Sequence, residues 1–545
     1  MLKKKGFVLT VGICLLVLSF AVTPLVAQDT GTQKTGTDGL PGWNDRTFYE
    51  IFVRSFQDSN GDGIGDLQGV ISKLDYLNDG DPNTNTDLGI TGIWLMPIFE
   101  SPSYHGYDVT DYMKVEPDYG TNDDFKQLIA EAHKRGIAVI IDMDINHTSS
   151  EHPWFKDSQT AGSEHDQWYR WSDTKPTELG PWGQQVWYPL AGRFYYAVFW
   201  QGMPDLNLTN PSVTDATHDI AKFWLQDMGA DGFRMDGARY YVEEKDKLAD
   251  SDGNLAWLKD WKGYVDSVNP NALMVGEVWT TSFVVSKYVP ASLDMAFEFD
   301  LATAMVNSAK SGTNGGVMPI ETRSQKLYPP SQYARFLTNH DQTRLMTEVS
   351  GDVNKAKAAA SMLLTGPGVP FLYYGEEVGM TGAKPDECLR TPMQWDATAR
   401  VEDFMAGKGC KTNEATFNVA SEDGDQKSLL SHYRDLIHLR NDHSALRVGD
   451  YTAFKSSDNK VYSFIRQSSD ETVLVVINLS DTAISDYKLS VAKSALTGDW
   501  KGNVLLGDGT VLILSTSAGG AIKDYTPLVT LAPFSTTIIQ LTSAS

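Results

Sequence analysis

The hydrophobic and polar positions of this chain form two kinds of segment that follow each other in turn. Short apolar runs such as "FYEIFVRSF" and "ITGIWLMPIF" precede longer segments with helical spacing, such as "TNDDFKQLIAEAHKRG". Continuous apolar runs of this length are typical of parallel strands that are buried on both faces. The pattern therefore predicts repeated strand–helix units.

Eight strand candidates recur along the chain, which predicts an α/β fold of the (β/α)8 TIM-barrel type. In chain order they are "FYEIFVRSF", "ITGIWLMPIF", "IAVIIDMDINH", "GADGFRMDG", "ALMVGEVW", "MAFEFDL", "YARFLTNHD" and "GVPFLYYGEEVG". The alternation stops for some sixty aromatic-rich residues after the third strand, where we expect an inserted subdomain. Short alternating strands near the C-terminus predict an antiparallel β-sandwich.

These patterns divide the 545 residues into five parts. The predicted parts are a signal peptide (1–27), a flexible leader (28–40), the barrel (41–147 and 209–448), the inserted subdomain (148–208) and the β-sandwich (449–545).

The N-terminus has the pattern of an export signal. Three lysines are followed by an uncharged stretch from Gly6 to Gln28, with Ala27 as the expected last residue before cleavage. The stretch is also about long enough to span a bilayer, so an uncleaved anchor remains an alternative. We expect a secreted protein, extracellular or periplasmic, without stable membrane association.

Charge and cysteine content narrow the partners. A formal net charge of −24 argues against a nucleic-acid partner, because binding to phosphate backbones depends on Lys and Arg. We expect an uncharged ligand and a monomer. Removal of the signal leaves Cys388 and Cys410, which form either a disulfide or two unrelated buried thiols.

A candidate metal loop follows the first strand. In "DSNGDGIGD", oxygen-bearing side chains alternate and Gly63 allows a sharp turn, as in an EF-hand. Position 12 of that pattern is Gly69, so the bidentate Glu of a calcium sensor is missing. The loop is interpreted as a static calcium site, and a solvated Asp/Gly turn is the alternative. Its candidate ligands are Asp58, Asn60, Asp62, the Ile64 carbonyl and Asp66.

Three acids lie at the ends of predicted strands: Asp236, Glu277 and Asp341. Hydrolysis of a glycosidic bond needs one protonated and one ionised carboxyl group beside the bond. Arg234 lies two residues before Asp236, so a strand places both side chains on one face, where the cation favours an ionised Asp236. The alternative is that the acids only cap the helices that follow.

The joint pattern "DMDINH", "GFRMDGARY", "VGEVW" and "FLTNHD" resembles the α-amylase family of retaining glycoside hydrolases (glycoside hydrolase family 13). The resemblance covers nearly the whole chain after the leader. It implies Asp236 as nucleophile, Glu277 as general acid/base and Asp341 as a transition-state-stabilising acid. It also implies that the inserted segment and the tail are the family's domains B and C.

The same resemblance implies further site residues. The residues expected to contact the reacting sugar are Tyr107, His147, Arg234 and His340. The loop after the first strand is similar to the calcium site of the oligo-1,6-glucosidase-like branch. A second calcium site between the barrel, which is the family's domain A, and domain B is left open. Arg239 and Tyr240 follow the nucleophile where many α-amylases have a His.

Different residues favour different sites of cleavage along the substrate, either at the chain end or at internal bonds. Arg390 matches an Arg that in exo-glucosidases of the family pairs with the Asp of "GYD", here Asp108, and closes the non-reducing end. Export, Gly237 and the aromatic domain B favour internal cleavage of α-1,4-glucans such as starch and maltooligosaccharides. One or two of Trp168, Trp171, Trp182 and Trp187 are expected on substrate. The alternatives are an exo-α-glucosidase, oligo-1,6-glucosidase or neopullulanase, and, in another class, a non-catalytic barrel.

Overall fold

A computed structural model of the protein describes residues 42–244 and 246–544. The predicted signal peptide (1–27) and leader (28–40) lie outside the described residues. Within these ranges, no helix has both the length and the apolar character required to cross a bilayer.

Eight parallel strands form the central sheet, as the apolar runs predict. They are β1 (Phe48–Ile51), β2 (Gly92–Leu95), β3 (Ala138–Met143), β4 (Gly232–Met235), β5 (Leu273–Gly276), β6 (Met295–Ala296), β7 (Ala334–Arg335) and β8 (Val369–Tyr373). Their order in the sheet is β6-β5-β4-β3-β2-β1-β8-β7. A parallel bridge between Phe297 and Ala334 links β6 to β7 and brings the sheet close to a complete barrel.

Large apolar side chains fill the barrel interior. Phe48 and Phe371 stack with ring centroids 4.5 Å apart, and Trp94 and Phe297 lie beside them. A larger core lies between the strands and the surrounding helices. The barrel interior is therefore a packed apolar core, and we expect the chemistry in the loops at the carboxyl ends of the strands.

Helices lie between successive strands and cover the barrel. The main helices are Leu67–Ser72, Asn122–Lys134, Pro211–Lys222, Asp252–Val268, Phe299–Ser311, Val317–Leu327, Val353–Thr365 and Leu429–Asp442. Short helices are Val53–Phe56, Leu74–Leu77, Pro153–Ser158, Ser282–Val285, Leu345–Glu348, Val419–Glu422 and Ser444–Val448. The helix that begins at Asn122 has a local start signal in the sequence, because the side chains of Thr121 and Asp124 form a reciprocal capping box.

The inserted segment after β3 carries a small antiparallel sheet. Its strands are Trp171–Ser172, Trp187–Leu190 and Arg193–Tyr196, in the order first-third-second. A single antiparallel bridge from His147 to Asp205 joins its two ends, and a second one links Tyr169 to Leu206. The segment therefore leaves and rejoins the barrel beside the end of β3.

The C-terminal part is all-β, as predicted. A six-stranded antiparallel sheet contains, in spatial order, Asp450–Ala453, Val461–Gln467, Thr472–Asn478, Thr536–Ser543, Asp499–Leu506 and Leu514–Ser515. A three-stranded sheet contains Lys455–Ser456, Leu489–Val491 and Ile522–Tyr525. A separate apolar core that includes Phe454 and Leu489 belongs to this part of the chain.

Of the two alternatives left open by the sequence for Cys388 and Cys410, the structure has the disulfide. The bridge closes the segment that follows β8. This segment contributes Arg390 to the cavity described below.

Candidate active site

The three predicted acids meet in one cavity of about 650 Å³ at the carboxyl ends of the strands. Asp236 follows β4, Glu277 follows β5, and Asp341 lies beyond β7. The other lining residues are Tyr104, His105, Tyr107, His147, Trp182, Phe199, Met203, Gly237, Arg239, Tyr240, Trp279, Asp386 and Arg390.

Arg234 holds two of these acids from below. Its Nη1 lies 2.6 Å from Asp236 Oδ1, and its Nη2 lies 2.9 Å from Glu277 Oε2. Nη1 also contacts Asp142 Oδ1 at 2.8 Å. The guanidinium is buried over the face of Trp94, 5.1 Å from the ring centroid. A rigid planar fork on a barrel strand thus fixes the spacing of the two carboxyl groups.

The environment of Glu277 favours its protonated form. Burial raises the pKa of Glu277, and Asp236 and Asp341 raise it further against the opposing charge of Arg234. The backbone N–H of Gly237 donates to Glu277 Oε2 at 3.1 Å and orients the carboxyl group. Glu277 is consequently suited to deliver a proton near neutral pH.

Asp341 has the opposite electrostatic setting. Burial disfavours its charge, but His340 and Arg390 outweigh that effect and hold the pKa of Asp341 well below its usual range. Arg390 Nη2 lies 2.9 Å from Asp341 Oδ1, and His340 Nε2 lies 3.3 Å from Asp341 Oδ2. The setting of Asp341 therefore favours its ionised form, whereas that of Glu277 favours its protonated form.

The structure brings the predicted sugar-contact residues together but places them differently. Tyr107 and His147 line the cavity, and His147 Nε2 lies 3.0 Å from the Tyr107 carbonyl oxygen. Arg234 and His340 are buried outside the cavity lining. A direct contact of these two residues with the sugar stays a prediction. In the structure both contact acids that line the cavity, and His340 also contacts Tyr107.

The ion pair between Asp108 and Arg390 that the match to exo-glucosidases implies is not seen in the structure. Arg390 binds Asp341 instead, and its Nε donates to the His340 carbonyl oxygen at 3.2 Å. Asp108 accepts hydrogen bonds from Ser103 and from Ser101, the latter at 2.9 Å. Its own loop satisfies Asp108, and the β8 loop carries Arg390 towards the adjacent β7 loop.

Gly237, which directly follows Asp236, is required by its backbone. Its φ of +49° lies in the left-handed region, and a Cβ there would meet the Phe199 ring at 2.9 Å. A side chain at this position would be strained and would displace the domain B aromatic. The glycine therefore lets domain B approach the nucleophile loop closely.

Two exposed tryptophans form walls of the cavity. The exposed fraction is 58% for Trp182, which belongs to domain B, and 46% for Trp279, which follows Glu277. Trp279 stacks on Phe299 at 4.8 Å and Trp182 packs edge-on against Tyr240 at 5.3 Å. Of the four candidate tryptophans, Trp182 alone lines this cavity.

The loop predicted to bind calcium presents oxygen atoms of the kind that a hard cation prefers. Asp58 accepts backbone N–H bonds from Asn60, Gly61 and Gly63, and each of Asn60 and Asp62 accepts one from two residues further on. These bonds curl the loop around its side-chain oxygens. Asp66 binds Ser59 and caps the helix that begins at Leu67.

The loop differs from a carboxylate-only site. No cluster of three or more His, Cys, Asp or Glu suited to a metal occurs among residues 42–244 and 246–544. A cation here would need the amide of Asn60 and the carbonyl of Ile64 as well, which are oxygen donors that calcium accepts.

Arginines connect the loop after β4 to its surroundings, at the residues where a second calcium site was left open from the sequence. Arg239, close after the nucleophile, pairs with Asp250 at 2.7 Å and donates to the Trp279 carbonyl oxygen at 2.8 Å. Arg170 of domain B pairs with Glu243 and lies 3.9 Å from the Tyr196 ring centroid. These contacts link domain B to the loop after β4 through arginine.

Comparison with known proteins identifies the family of the chain. A family model described as the α-amylase catalytic domain matches residues 50–449, and one for the α-amylase C-terminal all-β domain matches residues 451–542. The chain is 38% identical to "Alpha-amylase 3" of Dictyoglomus thermophilum, over 81% of this chain and 86% of that protein. It is 31% identical to "Probable oligo-1,6-glucosidase 2" of Bacillus subtilis, over 80% of this chain and 90% of that protein.

A solved structure of an α-amylase from H. orenii has a TM-score of 0.78 and 41% identity, covering 91% of this chain and 99% of that one. The fold and the acid set define a glycoside hydrolase built on a (β/α)8 barrel. The chain belongs to the α-amylase family, glycoside hydrolase family 13.

Proposed function

We propose that the protein is a secreted hydrolase that cleaves internal α-1,4-glucosidic bonds of starch and maltooligosaccharides with retention of configuration. The single observation that carries the proposal is the cavity that runs from the three acids to exposed Trp182 and Trp279. Sugar rings stack on such aromatic faces, so this cavity has room for glucosyl units beyond the scissile bond.

The reaction follows from the two carboxyl groups that Arg234 holds. Asp236, held by the guanidinium, attacks the anomeric carbon while Glu277 protonates the leaving oxygen. Water then enters, Glu277 accepts its proton, and the glycosyl–Asp236 bond is hydrolysed. Retention needs carboxyl groups about 5–5.5 Å apart, and attachment to one guanidinium supports such a short spacing.

Asp341 and Tyr107 complete the sugar site. Ionised Asp341 stabilises the positive charge that develops at the anomeric centre and accepts hydrogen bonds from the sugar hydroxyls. The Tyr107 ring lies in the cavity wall beside it and offers a stacking surface.

Internal cleavage predicts that starch viscosity falls much faster than reducing ends appear. Trp182→Ala should lower kcat/KM for maltoheptaose about two- to tenfold, because one stacking contact is worth about 0.5–1.5 kcal/mol. The same change should leave a short activated glycoside nearly unaffected. Viscometry follows the starch, reducing-sugar release gives kcat/KM on maltoheptaose, and chromophore release gives the rate on the short glycoside.

Trp200→Ala is the matched control, since Trp200 is 52% exposed in domain B but lies outside the cavity lining. Equal losses in both variants would count against Trp182 as a sugar platform. Glucose as the sole early product, with viscosity barely changed, would reject internal cleavage.

An exo-acting or α-1,6-cleaving enzyme is the second candidate. A relative named as a probable oligo-1,6-glucosidase, which is 31% identical to this chain, favours this candidate. The missing contact between Asp108 and Arg390 weakens it, because the charged pair expected to bind a terminal glucose is absent from the described residues. Product analysis on isomaltose and pullulan separates the two candidates.

Calcium binding by the loop is a second part of the proposal. The ligands would be Asp58, Asn60, Asp62, the Ile64 carbonyl and Asp66. These residues follow strand β1 in the chain and do not line the active-site cavity. Bound calcium would stabilise the loop and take no part in the reaction.

Chelation should lower the melting temperature, because calcium binds the folded loop and not the unfolded chain. At a hundredfold excess over Kd the stabilisation is about 2.7 kcal/mol. Asp62→Ala should remove most of the calcium effect, whereas Asp81→Ala, another Asx turn at the surface, should retain it. Identical responses of the wild type and Asp62→Ala to a chelator would show that the loop is only a turn.

Secretion is proposed from the sequence of residues 1–27. The mature protein should begin at Gln28, which N-terminal sequencing of the exported protein tests. A chain that keeps residues 1–27 in the membrane fraction would support the alternative of an anchor.

A further inference from the structure

An acid on strand β1 lies outside the reaction described above. Glu50 is the charged residue in an otherwise apolar and aromatic strand, and its side chain is buried. Glu50 Oε1 lies 2.5 Å from His340 Nδ1. A buried carboxylate without a cationic partner is costly, so this contact sets the charge of both groups.

The other side of the His340 ring faces the cavity wall. His340 Nε2 lies 3.3 Å from Asp341 Oδ2 and 2.8 Å from the Tyr107 hydroxyl. The Tyr107 hydroxyl also reaches Asp142 Oδ2 at 3.3 Å. The titratable or charged groups that face His340 or the acid in front of it are therefore Glu50, Tyr107, Asp142, Asp341, Arg234 and Arg390.

When the side chains of Glu50 and Asp341 are both carboxylates, one arrangement of protons on the His340 ring satisfies both contacts. Carboxylates only accept hydrogen bonds, so Glu50 requires a proton on Nδ1 and Asp341 requires one on Nε2. The ring is then an imidazolium, and Tyr107 is free to donate to Asp142. With a neutral ring protonated at Nδ1, the Nε2 lone pair would face the Asp341 carboxylate at 3.3 Å.

We propose that Glu50 is a positioning residue that keeps the His340 ring doubly protonated, and thereby keeps Asp341 ionised and in place for the sugar. Glu50 touches neither the cavity nor the acids that react. The electrostatics agree: burial lowers the pKa of His340, but Asp341 and Glu50 outweigh it and raise that pKa to about 10.

The sign of the pH effect follows from this arrangement. Glu50→Gln keeps the size and the hydrogen-bond acceptor but removes one of the two charges that hold the proton on His340. The ring should then lose its proton at a lower pH, by at least about one unit, since one adjacent charge shifts a pKa by about 1–3 units. Activity should therefore fall selectively on the alkaline side.

The test uses full-length protein labelled with ¹³C at the histidine Cε1 positions. NMR titration should show His340 as imidazolium to about pH 9 in the wild type and a titration at lower pH in Glu50→Gln. Loss of the same signal in His340→Gln assigns it. An unchanged titration of His340 in Glu50→Gln would overturn the proposal.

A kinetic measurement separates a positioning effect from a general loss of structure. From pH 5.5 to pH 9, kcat/KM of Glu50→Gln on an aryl maltotrioside should fall at least about twofold more than that of the wild type, since a His340 pKa lowered by about one unit or more leaves half or less of the ring protonated at pH 9. Glu377→Gln is the control, because Glu377 is a buried acid bonded to Tyr49, next to Glu50, and does not touch His340. An equal loss at every pH, or the same profile in Glu377→Gln, would overturn the proposal. The kinetic arm rests on the proposed sugar site, whereas the NMR arm does not.

Discussion

Asp236→Asn and Glu277→Gln should each abolish hydrolysis of starch while leaving the fold intact. Each change keeps the size of the side chain and removes one half of the two-carboxylate reaction. Loss of the nucleophile should cost about 10⁴- to 10⁶-fold in kcat, and loss of the acid/base about 10²- to 10⁴-fold on an unactivated substrate. Circular dichroism checks the fold, and reducing-sugar release measures the rate.

Azide distinguishes the two roles. With an activated aryl glycoside, Glu277→Ala should form the glycosyl azide of retained configuration, because Asp236 still makes the covalent intermediate. Asp236→Ala should give the inverted azide by direct attack. A wild-type enzyme that releases inverted sugar would contradict the assignment of Asp236 as nucleophile.

Arg234→Met should destabilise the protein by about 3–5 kcal/mol, because it leaves three carboxyl groups around a lost cation. Arg234→Lys should retain part of that stability and still lose activity, since an ammonium cannot hold Asp236 and Glu277 in a fixed fork. The melting temperature and kcat of both variants measure these effects.

The stability deficit of Arg234→Met should also depend on pH. Burial raises the pKa of Asp142 to about 7 in the wild type, where Arg234 opposes the rise. Loss of the guanidinium in Arg234→Met should raise this pKa further. A folded-state pKa above the unfolded value means that stability is lost as pH rises, so the deficit should be smaller at pH 5 than at pH 8. Arg135→Met, which breaks a surface pair with Asp75, should cost only about 0–1 kcal/mol. A deficit equal to that of this control would contradict the structural role of Arg234.

The sequence predicted the barrel well because its signals are local. Eight apolar runs are confirmed as eight parallel strands, and the acids at their ends meet because parallel strands present their carboxyl ends on one face. The position of Gly237 was noted from the sequence, but its left-handed φ and its contact with Phe199 require the fold.

Partners across loops were less predictable. The match to exo-glucosidases implied a pair of Asp108 and Arg390 that the structure does not show, because hydroxyls of its own loop satisfy Asp108 and the path of the β8 loop takes Arg390 to Asp341. Glu50 was missed, although a lone acid in the strand "FYEIF" was a usable signal. Selection of Trp182 from a dense aromatic segment depends on which rings the small domain buries, and composition does not contain that information.

The Cys388–Cys410 bridge makes part of the cavity wall a covalent ring. Residues 396–401 and 406–409 of that ring are exposed, and exposed loop tips are where proteases cut. A single cut there leaves both ends attached through the sulfurs, so Arg390 keeps its contact with Asp341 in the nicked chain. Proteolysis alone should therefore leave the cavity wall in place, and a nicked enzyme would come apart at this wall only after a reductant is added.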